Sequence, residues 1–342
     1  MSIKFNEVKE KLKSKKYTWL VTGCAGFIGS NLVEDLLKLN QKVVGLDNFS
    51  TGLEKNIEDI QSQVGSELYK NFTFVDGDIQ NLETCKKVCE GVDYILHQAA
   101  LGSVPRSIED PLSSHQSNVN GHLNILWAAK NQNVKRVVYA SSSSVYGDHP
   151  DLPKQELAIG KQLSPYAVTK YINELYSEVF GKCYGVENIG IRYFNVFGKR
   201  QDPNSVYAAV MPKWIKAMMN NQNVEIYGDG ETSRDFCYIS NVVQMNILAA
   251  TTENKNAINK VFNCACHDRT NLNDLYKAIR DNMKSYYSYL EDAKPIYKDF
   301  RAGDVRHSFA DINMAKDLLG YDPTHMFNEG LVDSLEWYRN NL

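Results

Sequence analysis

The feature that most constrains the fold is a glycine-rich turn between a short apolar run and a helical pattern. Residues 17–21 form the run, Thr22-Gly23-Cys24-Ala25-Gly26-Phe27-Ile28-Gly29 follows, and apolar residues then recur at helical spacing over 30–39. Such a turn lets backbone N–H groups approach a pyrophosphate at the positive end of a helix, and its third glycine permits close packing of helix on strand. The same glycines would also suit a tight turn in an α/β domain that binds no nucleotide. The residues around the turn therefore have to distinguish the two interpretations.

An acidic residue follows the turn at the distance typical of dinucleotide binding. Asp47 lies eighteen residues after Gly29, at the end of the apolar run 42–46. A carboxylate placed there can hydrogen-bond a ribose diol, and it would repel a 2′-phosphate. The sequence therefore favours NAD over NADP as the cofactor.

Length and composition narrow the class of protein. The chain has 342 residues, 43% of them hydrophobic and 23% charged, with a net charge of -3, which is ordinary for a soluble globular protein of one large or two medium domains. No basic excess favours nucleic acid, and neither a secretory leader nor an apolar run long enough to cross a membrane is present. We therefore expect a cytoplasmic protein without nucleic-acid or membrane partners.

The cysteines fit reduced thiols rather than a disulfide framework. There are seven of them, an odd number without regular spacing. Cys264-Ala265-Cys266-His267 brings metal-ligating residue types together, but the second pair that a zinc site needs is missing. We therefore expect no bound metal.

Apolar strand-like runs alternate with helical ones from residue 17 to about residue 195. Alternation at this spacing predicts βαβ units and an α/β fold, a Rossmann-like doubly wound parallel sheet whose ligands lie at the carboxyl ends of the strands. We expect an N-terminal helical extension (1–16), an NAD-binding Rossmann domain (17–196) and a smaller α/β substrate lobe (197–342), from which a segment at about 236–263 could return to the first domain. The predicted strands are 19–21, 42–46, 72–75, 94–97, 136–140 and 188–192.

A tyrosine and a lysine at the start of a predicted helix indicate acid–base chemistry. Tyr166 and Lys170 follow Ser164-Pro165 and share one helix face, so the ammonium group is expected beside the phenol. That charge, added to the positive nicotinamide of NAD, is expected to lower the pKa of Tyr166 and make it a base near neutral pH. Four serines at 141–144 follow a predicted buried strand and could share the proton. A surface Tyr–Lys pair and a serine-rich loop are the alternatives.

With these residues the chain resembles the extended short-chain dehydrogenase/reductase family, and within it the UDP-sugar 4-epimerases, over nearly its whole length. Besides the features above, the resemblance includes Asp78-Ile79, His97-Gln98-Ala99-Ala100, Asn118-Val119-Asn120-Gly121, Val145-Tyr146-Gly147, Arg192-Tyr193-Phe194-Asn195-Val196-Phe197-Gly198, Arg234-Asp235-Phe236 and Arg301-Ala302-Gly303-Asp304.

The resemblance implies a tightly bound NAD that is not consumed. The cofactor-binding residues it implies are Gly23, Gly26, Phe27, Ile28, Gly29, Asp47, Asn48, Phe49, Ser50, Gly52, Asp78, Ile79, Gln98, Ala99, Ala100, Ser117, Tyr166, Lys170 and Tyr193.

The same resemblance implies the catalytic and substrate-binding residues. The family's catalytic serine, four residues before Tyr146, falls on Ser142, with Ser143 as a substitute or a substrate contact, beside Tyr166 and Lys170. Arginines suit the UDP diphosphate through bidentate bonds; surface salt bridges are the alternative. The implied substrate-binding residues are Gly102, Ser103, Ser142, Ser143, Asn195, Ala209, Val210, Lys213, Tyr227, Arg234, Arg301, Asp304 and Ser308.

One position bears on which sugar is bound. Ser308 resembles the family's gate beside the sugar 2-substituent, where a tyrosine would restrict the pocket to plain hexoses and a serine leaves room for an N-acetyl group. The resemblance thus implies NAD-dependent, redox-neutral C4 epimerisation of UDP-GlcNAc and UDP-GalNAc through a 4-keto intermediate, supplying surface polysaccharide synthesis. The related dehydratases carry Thr-Asp-Glu where this chain has Ser142-Ser143-Ser144, which disfavours dehydration.

Three other functions stay open. The first is the same epimerisation of UDP-N-acetylhexosaminuronic acids, which Arg106, Arg306 and His307 would tolerate. The second is a net NAD-dependent UDP-sugar dehydrogenase or reductase, and the third is a non-catalytic NAD-binding regulator.

The resemblance also implies a homodimer. Segments 112–132 and 166–181 resemble the helices that the family pairs into a four-helix interface. They carry apolar residues, Leu123, Leu126, Tyr171 and Leu175, that would suit such an interface, although the same residues could face the chain's own core.

Overall fold

The structure, a computed structural model, describes residues 2–206, 208–300 and 306–341. The strands are β1 (Thr18–Thr22), β2 (Lys42–Asp47), β3 (Phe72–Asp76), β4 (Tyr94–His97), β5 (Arg136–Ser142), β6 (Asn188–Tyr193), β7 (Val196–Phe197), β8 (Glu225–Tyr227), β9 (Ser233–Arg234), β10 (Cys237–Tyr238), β11 (Lys260–Cys264), β12 (Thr270–Asn271) and β13 (Ile296–Lys298).

Helices cover both faces of the sheet and build most of the rest of the chain. They are α1 (Ile3–Ser14), α2 (Phe27–Lys38), α3 (Glu54–Tyr69), α4 (Leu82–Val88), α5 (Val104–Glu109), α6 (Pro111–His115), α7 (Gly121–Asn131), α8 (Pro165–Tyr184), α9 (Val210–Met219), α10 (Ile239–Thr251), α11 (Leu272–Met283), α12 (Asn313–Leu319) and α13 (Phe327–Asn341). A π-helical turn, Gln116–Asn120, precedes α7.

A seven-stranded parallel sheet forms the centre of the fold. Its order is β3-β2-β1-β4-β5-β6-β11, with every neighbouring pair parallel. All six strands expected from the sequence are present, so the predicted Rossmann-like fold is confirmed. Because the strand order reverses between β1 and β4, a crevice opens there at the carboxyl ends of the strands.

The core consists of two apolar layers, one on each face of the sheet. Successive residues of a strand point to opposite faces. In β1, Trp19 and Val21 pack in one layer and Leu20 in the other, and all three are fully buried. Burial on both faces explains why these strands read as continuous apolar runs rather than as alternating ones.

Two segments outside the predicted strands join this framework. The strand β11 pairs with β6 from Lys260 to Cys264, although the lobe residues after β7 separate the two in sequence. The N-terminal helix α1 buries Val8 and Leu12 against the same core. The division of the chain into two domains stays a prediction.

The surfaces of α7 and α8 correct part of the expected dimer interface. Leu126 is fully buried in the core and Leu123 packs against it, because α7 lies directly on the sheet. Leu126 therefore faces the chain's own core, the alternative that the sequence left open, whereas Leu123 is only partly buried. Leu175 on α8 is 44% exposed, and Val168 and Val179, on the same helix face, are 43% and 48% exposed.

None of the helices in the described ranges combines the length and the apolar character needed to span a bilayer.

Candidate active site

A cleft lies over the carboxyl ends of β1, β2, β4 and β5, where the strand order reverses. Its wall brings together most residues that the sequence marked as cofactor-binding, with Gly102 from the substrate set. They are Gly23, Gly26, Phe27, Ile28, Gly29, Asp47, Asn48, Ser50, Asp78, Ile79, Gln98, Ala99, Ala100, Gly102, Ser117, Tyr166, Lys170 and Tyr193.

The glycine turn is shaped by contacts that exclude side chains. Gly23 has a positive φ of 69°, and a Cβ there would lie 2.8 Å from the Ala99 nitrogen. A Cβ on Gly29 would lie 2.0 Å from the Gly23 carbonyl oxygen. The helix α2 begins with Gly26 as its N-cap and has no capping side chain, so its first N–H groups are left for a ligand. This cradle fits a pyrophosphate.

Asp47 is held at the end of β2 by the turn itself. Its two carboxylate oxygens accept hydrogen bonds from the N–H groups of Ala25 and Phe49, each at 2.9 Å. Burial raises the pKa of Asp47, and these bonds lower it in part. Asn48 donates to Asp78 at 2.9 Å, which joins the two acidic strand ends. The two acidic residues, Asp47 and Asp78, fit the adenosine half of NAD.

Two predicted cofactor residues, Phe49 and Gly52, are not among those that line the cleft. Phe49 stacks on Phe74 with ring centroids 5.2 Å apart. Gly52 leaves no room for a side chain, since a Cβ would lie 2.9 Å from an Asp47 carboxylate oxygen. Both therefore shape the wall.

Tyr166 and Lys170 lie at the start of α8, on the floor of the cleft. The Lys170 ammonium is 5.9 Å from the centroid of the Tyr166 ring and donates to the Ala140 carbonyl at 2.9 Å. Burial lowers the pKa of Lys170 to about 8. Burial also raises the pKa of Tyr166, and a hydrogen bond with Ser142 offsets only part of that. In the chain alone, desolvation therefore dominates the pKa of Tyr166. The expected lowering, which needs the positive nicotinamide of NAD as well as Lys170, stays a prediction.

The structure separates the roles of the clustered serines. Ser141 donates to the Glu174 carboxylate at 2.5 Å, and Glu174 also receives two hydrogen bonds from buried Arg192, at 2.9 and 2.7 Å. Ser142 is the serine that acts on the Tyr166 phenol, whose pKa it lowers in part, and its oxygen accepts from the Ser144 N–H at 3.1 Å.

Some site residues escaped the sequence analysis. Thr51 and Gly77 line the cleft, and neither was assigned to the cofactor, although Gly77 lies directly before Asp78, just beyond a strand end. Asn246 of α10 donates to the Tyr193 hydroxyl at 2.8 Å and accepts from Gln98 at 3.1 Å. No local pattern marks Asn246, because it comes from a helix far along the chain.

Most of the remaining predicted substrate residues come from the part of the chain after β7. Arg234, on β9, donates to the carbonyls of Ser233 at 2.9 Å and Arg306 at 3.3 Å. The Ser308 N–H donates to the Ser233 carbonyl at 3.0 Å, which places the residue beside β9. Asn195 donates to the Asp235 carbonyl at 3.3 Å. Ala209, Val210 and Lys213 lie at the start of α9 and Tyr227 ends β8; Arg301 and Asp304 lie outside the described residues.

The cysteines of the Cys264–Cys266 motif belong to a buried group. The sulfurs of Cys237 and Cys264 are 3.9 Å apart, and the Tyr321 hydroxyl is 3.9 Å from each. Over 2–206, 208–300 and 306–341, no three His, Cys, Asp or Glu side chains are grouped to hold a metal ion.

Comparison with known proteins places this geometry among nucleotide-sugar enzymes. Residues 19–265 match the family described as the NAD dependent epimerase/dehydratase family. A putative UDP-glucose 4-epimerase of Methanocaldococcus jannaschii is 35% identical over 324 residues, covering 94% of this chain and 98% of the relative.

Two solved structures share the fold over at least 95% of this chain. One is the UDP-N-acetylglucosamine 4-epimerase from Methanobrevibacter ruminantium in complex with UDP-N-acetylmuramic acid, with 38% identity, a TM-score of 0.87 and coverage of 96% of this chain and 100% of that one. The other is the UDP-glucuronic acid 4-epimerase from Bacillus cereus in complex with UDP-glucuronic acid and NAD, with 30% identity, a TM-score of 0.84 and coverage of 95% and 100%.

Proposed function

The chain belongs to the NAD dependent epimerase/dehydratase family, and from that membership we propose that it interconverts UDP-GlcNAc and UDP-GalNAc by inversion at C4. UDP-sugar 4-epimerases are among its relatives, and NAD is the cofactor. The observation that carries the chemistry is the convergence of Tyr166, Lys170 and Ser142 at the floor of a cleft whose glycine turn fits a dinucleotide.

NAD, held by the glycine turn and Asp47, would supply a hydride acceptor that also serves as the hydride donor, so that the net reaction is redox-neutral. Tyr166 takes the proton of the 4-hydroxyl and later gives it back, with Ser142 bonded to the same phenol. Because burial raises the pKa of Tyr166, the chain's own groups do not make it a base at neutral pH. Tyr166 takes up that role only when positive charge enters the cleft beside Lys170.

Inversion also requires the keto sugar to turn about its bond to the diphosphate. Arg234, together with Arg301 by resemblance, would hold the diphosphate while the sugar moves. Arg234 donates to the backbone carbonyls of Ser233 and Arg306, so its guanidinium group is oriented before the substrate arrives.

The choice of an N-acetylated sugar depends on Ser308. Its backbone is bonded to Ser233, directly before the proposed diphosphate anchor Arg234, so its small side chain is close to where the sugar would lie. The methanogen epimerase that is 38% identical to this chain is named for UDP-N-acetylglucosamine and holds a second N-acetylated sugar, which supports this choice.

Epimerisation of uronic acids is the second candidate, favoured by the likeness to a UDP-glucuronic acid 4-epimerase. Two basic residues beside Ser308 bear on it. Arg306 is paired with Asp229 at 2.6 Å, and desolvation and three neighbouring arginines lower the pKa of His307. The lowered pKa favours the neutral form of His307, and the Arg306 charge is already paired with Asp229, so this part of the site is not arranged to attract a carboxylate.

The decisive experiment incubates the purified protein with each of four sugars and no added NAD, and identifies the products by NMR. The sugars are UDP-GlcNAc, UDP-GalNAc, UDP-glucose and UDP-N-acetylglucosaminuronic acid. We expect fastest conversion of the first two, to the same equilibrium mixture from either side. Preferential conversion of the uronic acid would overturn the substrate assignment. Stoichiometric NADH formation with free NAD would identify a dehydrogenase, and bound NAD without any conversion a regulator.

Further parts of the proposal are a homodimer, a cytoplasmic location and a role in supplying polysaccharide synthesis. Exposed aliphatic side chains along α8 support the dimer, and seven free thiols suit a reducing compartment.

A further inference from the structure

The start of the helix that carries the proposed base has one donor that its own cap does not satisfy. The first N–H groups of an α-helix lack partners within the helix. In α8, Pro165 has no N–H, Ala167 donates to the Ser164 hydroxyl at 3.1 Å and Val168 donates to the Ser164 carbonyl at 3.0 Å. The remaining group is the N–H of Tyr166.

Ser107, 59 residues earlier in the chain, supplies the missing acceptor. The Tyr166 N–H donates to its hydroxyl oxygen at 3.0 Å. Ser107 is fully buried, and its own hydroxyl proton is donated to the Val104 carbonyl at 2.7 Å. The Ser107 hydroxyl proton is thus used in a hydrogen bond within α5, and the hydroxyl oxygen remains free to accept from the Tyr166 N–H.

The helix α5 is itself tied to the cleft. It follows Gly102, which lines the cleft, and its N-cap Ser103 has a φ of 100°, a strained value for a residue with a side chain. Ser103 accepts a hydrogen bond from the Arg106 N–H at 3.3 Å, and its carbonyl accepts one from the Ser107 N–H at 3.2 Å. Ser107 therefore connects the backbone of the proposed base with the segment that forms the cleft wall.

We infer that Ser107 is a positioning residue for the epimerase reaction, which fixes the backbone of Tyr166 and so the place of its phenol beside Ser142. This inference rests on the proposed function. Lys170, one turn later, is held separately by the Ala140 carbonyl, so losing the Ser107 acceptor moves Tyr166 relative to Lys170. Without the Ser107 hydroxyl the part-buried N–H of Tyr166 loses its partner, and the first turn must shift to find another.

The first test compares the kinetics of Ser107→Ala with those of the wild-type holoenzyme. We expect kcat to fall between about tenfold and a hundredfold, since a displacement of about 1 Å costs that much, with KM within about twofold. Ser114→Ala is the matched control. Ser114 is equally buried and donates to the Asp110 carbonyl in α6, so we expect near-normal kcat.

A double-mutant cycle separates positioning from general damage. If Ser107 acts through the Tyr166 phenol, Ser107→Ala costs little further activity in a Tyr166→Phe background. An equal loss in both backgrounds, or a kcat of Ser107→Ala within about twofold of wild type, would overturn the inference.

A third measurement does not depend on turnover. Hydrogen exchange of the segment 164–168 is expected to be faster in Ser107→Ala and unchanged in Ser114→Ala; unchanged exchange in both would contradict the inference.

If Ser107→Ala fails to fold, Ser107→Cys replaces it, since cysteine is of similar size but a weaker acceptor. We expect a smaller effect in the same direction. A Ser107→Cys variant with wild-type kcat and wild-type exchange would overturn the inference. All kinetic ratios are taken on whichever UDP-sugar the wild type converts, so a wrong substrate assignment leaves the role of Ser107 equally testable.

Discussion

At the scale of single residues, the phenol of Tyr166 is the group on which the proposed chemistry depends. Replacing Tyr166 by Phe removes the oxygen that bonds Ser142 and keeps the ring. We expect turnover to fall by at least about a hundredfold, the lower end for general acid–base groups, with UDP binding nearly intact. Steady-state kinetics and calorimetry with UDP test this, and near-normal turnover would remove Tyr166 from the mechanism.

Burial of Lys170 has a consequence for stability that depends on pH. Its pKa is lowered to about 8 from an ordinary value of 10.5, so between these values the unfolded chain binds more protons than the folded one, and wild-type stability rises with pH. Below pH 8 the buried charge costs on the order of 3 kcal/mol. Lys170→Met should therefore be more stable than wild type at pH 7, with a gain that shrinks towards pH 10.

Denaturant unfolding across that pH range measures the effect. Lys161→Met, at an exposed position, serves as the control and should show no such trend. A gain in Lys170→Met that stays constant with pH would contradict the assignment of the cost to the buried ammonium.

The gate proposed at Ser308 gives a prediction on specificity. Ser308→Tyr fills the space beside the sugar 2-substituent, so we expect activity on UDP-GlcNAc to fall far more than activity on UDP-glucose. Ser308→Ala, which keeps the space open, should leave the ratio of the two activities unchanged. Equal losses on both sugars in the tyrosine variant would discredit the pocket argument.

At the scale of elements, the joint between β1 and α2 depends on the absence of a side chain at Gly29. In Gly29→Ala the new Cβ would lie 2.0 Å from the Gly23 carbonyl oxygen, a backbone atom that cannot rotate away. The helix must shift from the turn, at a cost of about 1–3 kcal/mol. We expect a lower Tm and loss of copurified NAD.

The neighbouring buried residue Ser30 provides the control for this variant. Its hydroxyl donates to the Phe27 carbonyl within α2, so Ser30→Ala should keep its NAD. Full NAD content in Gly29→Ala would show that the close approach of helix and turn is not needed for cofactor binding.

At the scale of the whole molecule, the apolar face of α8 is the surface that a second copy would cover. Leu175→Glu places a charge among the exposed Val168 and Val179, and burying it in an interface is unfavourable. We expect this variant to be monomeric and the wild type dimeric by light scattering. Val332→Glu, at a 51% exposed position on α13, should stay dimeric. An unchanged mass in Leu175→Glu would exclude this face as the interface.

Short-range patterns were enough for the architecture of the sheet and for the cofactor cleft. Apolar runs of strand length gave all six expected strands, because a strand buried on both faces shows its burial in its own sequence. The glycine turn was recognisable because close approach of the backbone to a pyrophosphate requires residues without side chains. Asp47 was recognisable because ribose binding requires an acidic residue at one position. The spacing of Tyr166 and Lys170 placed both on one helix face.

Only the tertiary structure decided what depends on residues far apart in the chain. Desolvation of Tyr166 by its surroundings set the direction of its pKa in the chain alone, which the spacing from Tyr166 to Lys170 does not reveal. Leu126 turned out to belong to the core, since helix periodicity does not say which neighbour covers a face. The bond from Tyr166 to Ser107 joins two positions 59 residues apart, and no pattern within either segment carries that information. Sequence determines which local conformations are favourable, and the packing of distant segments determines the environment in which each side chain works.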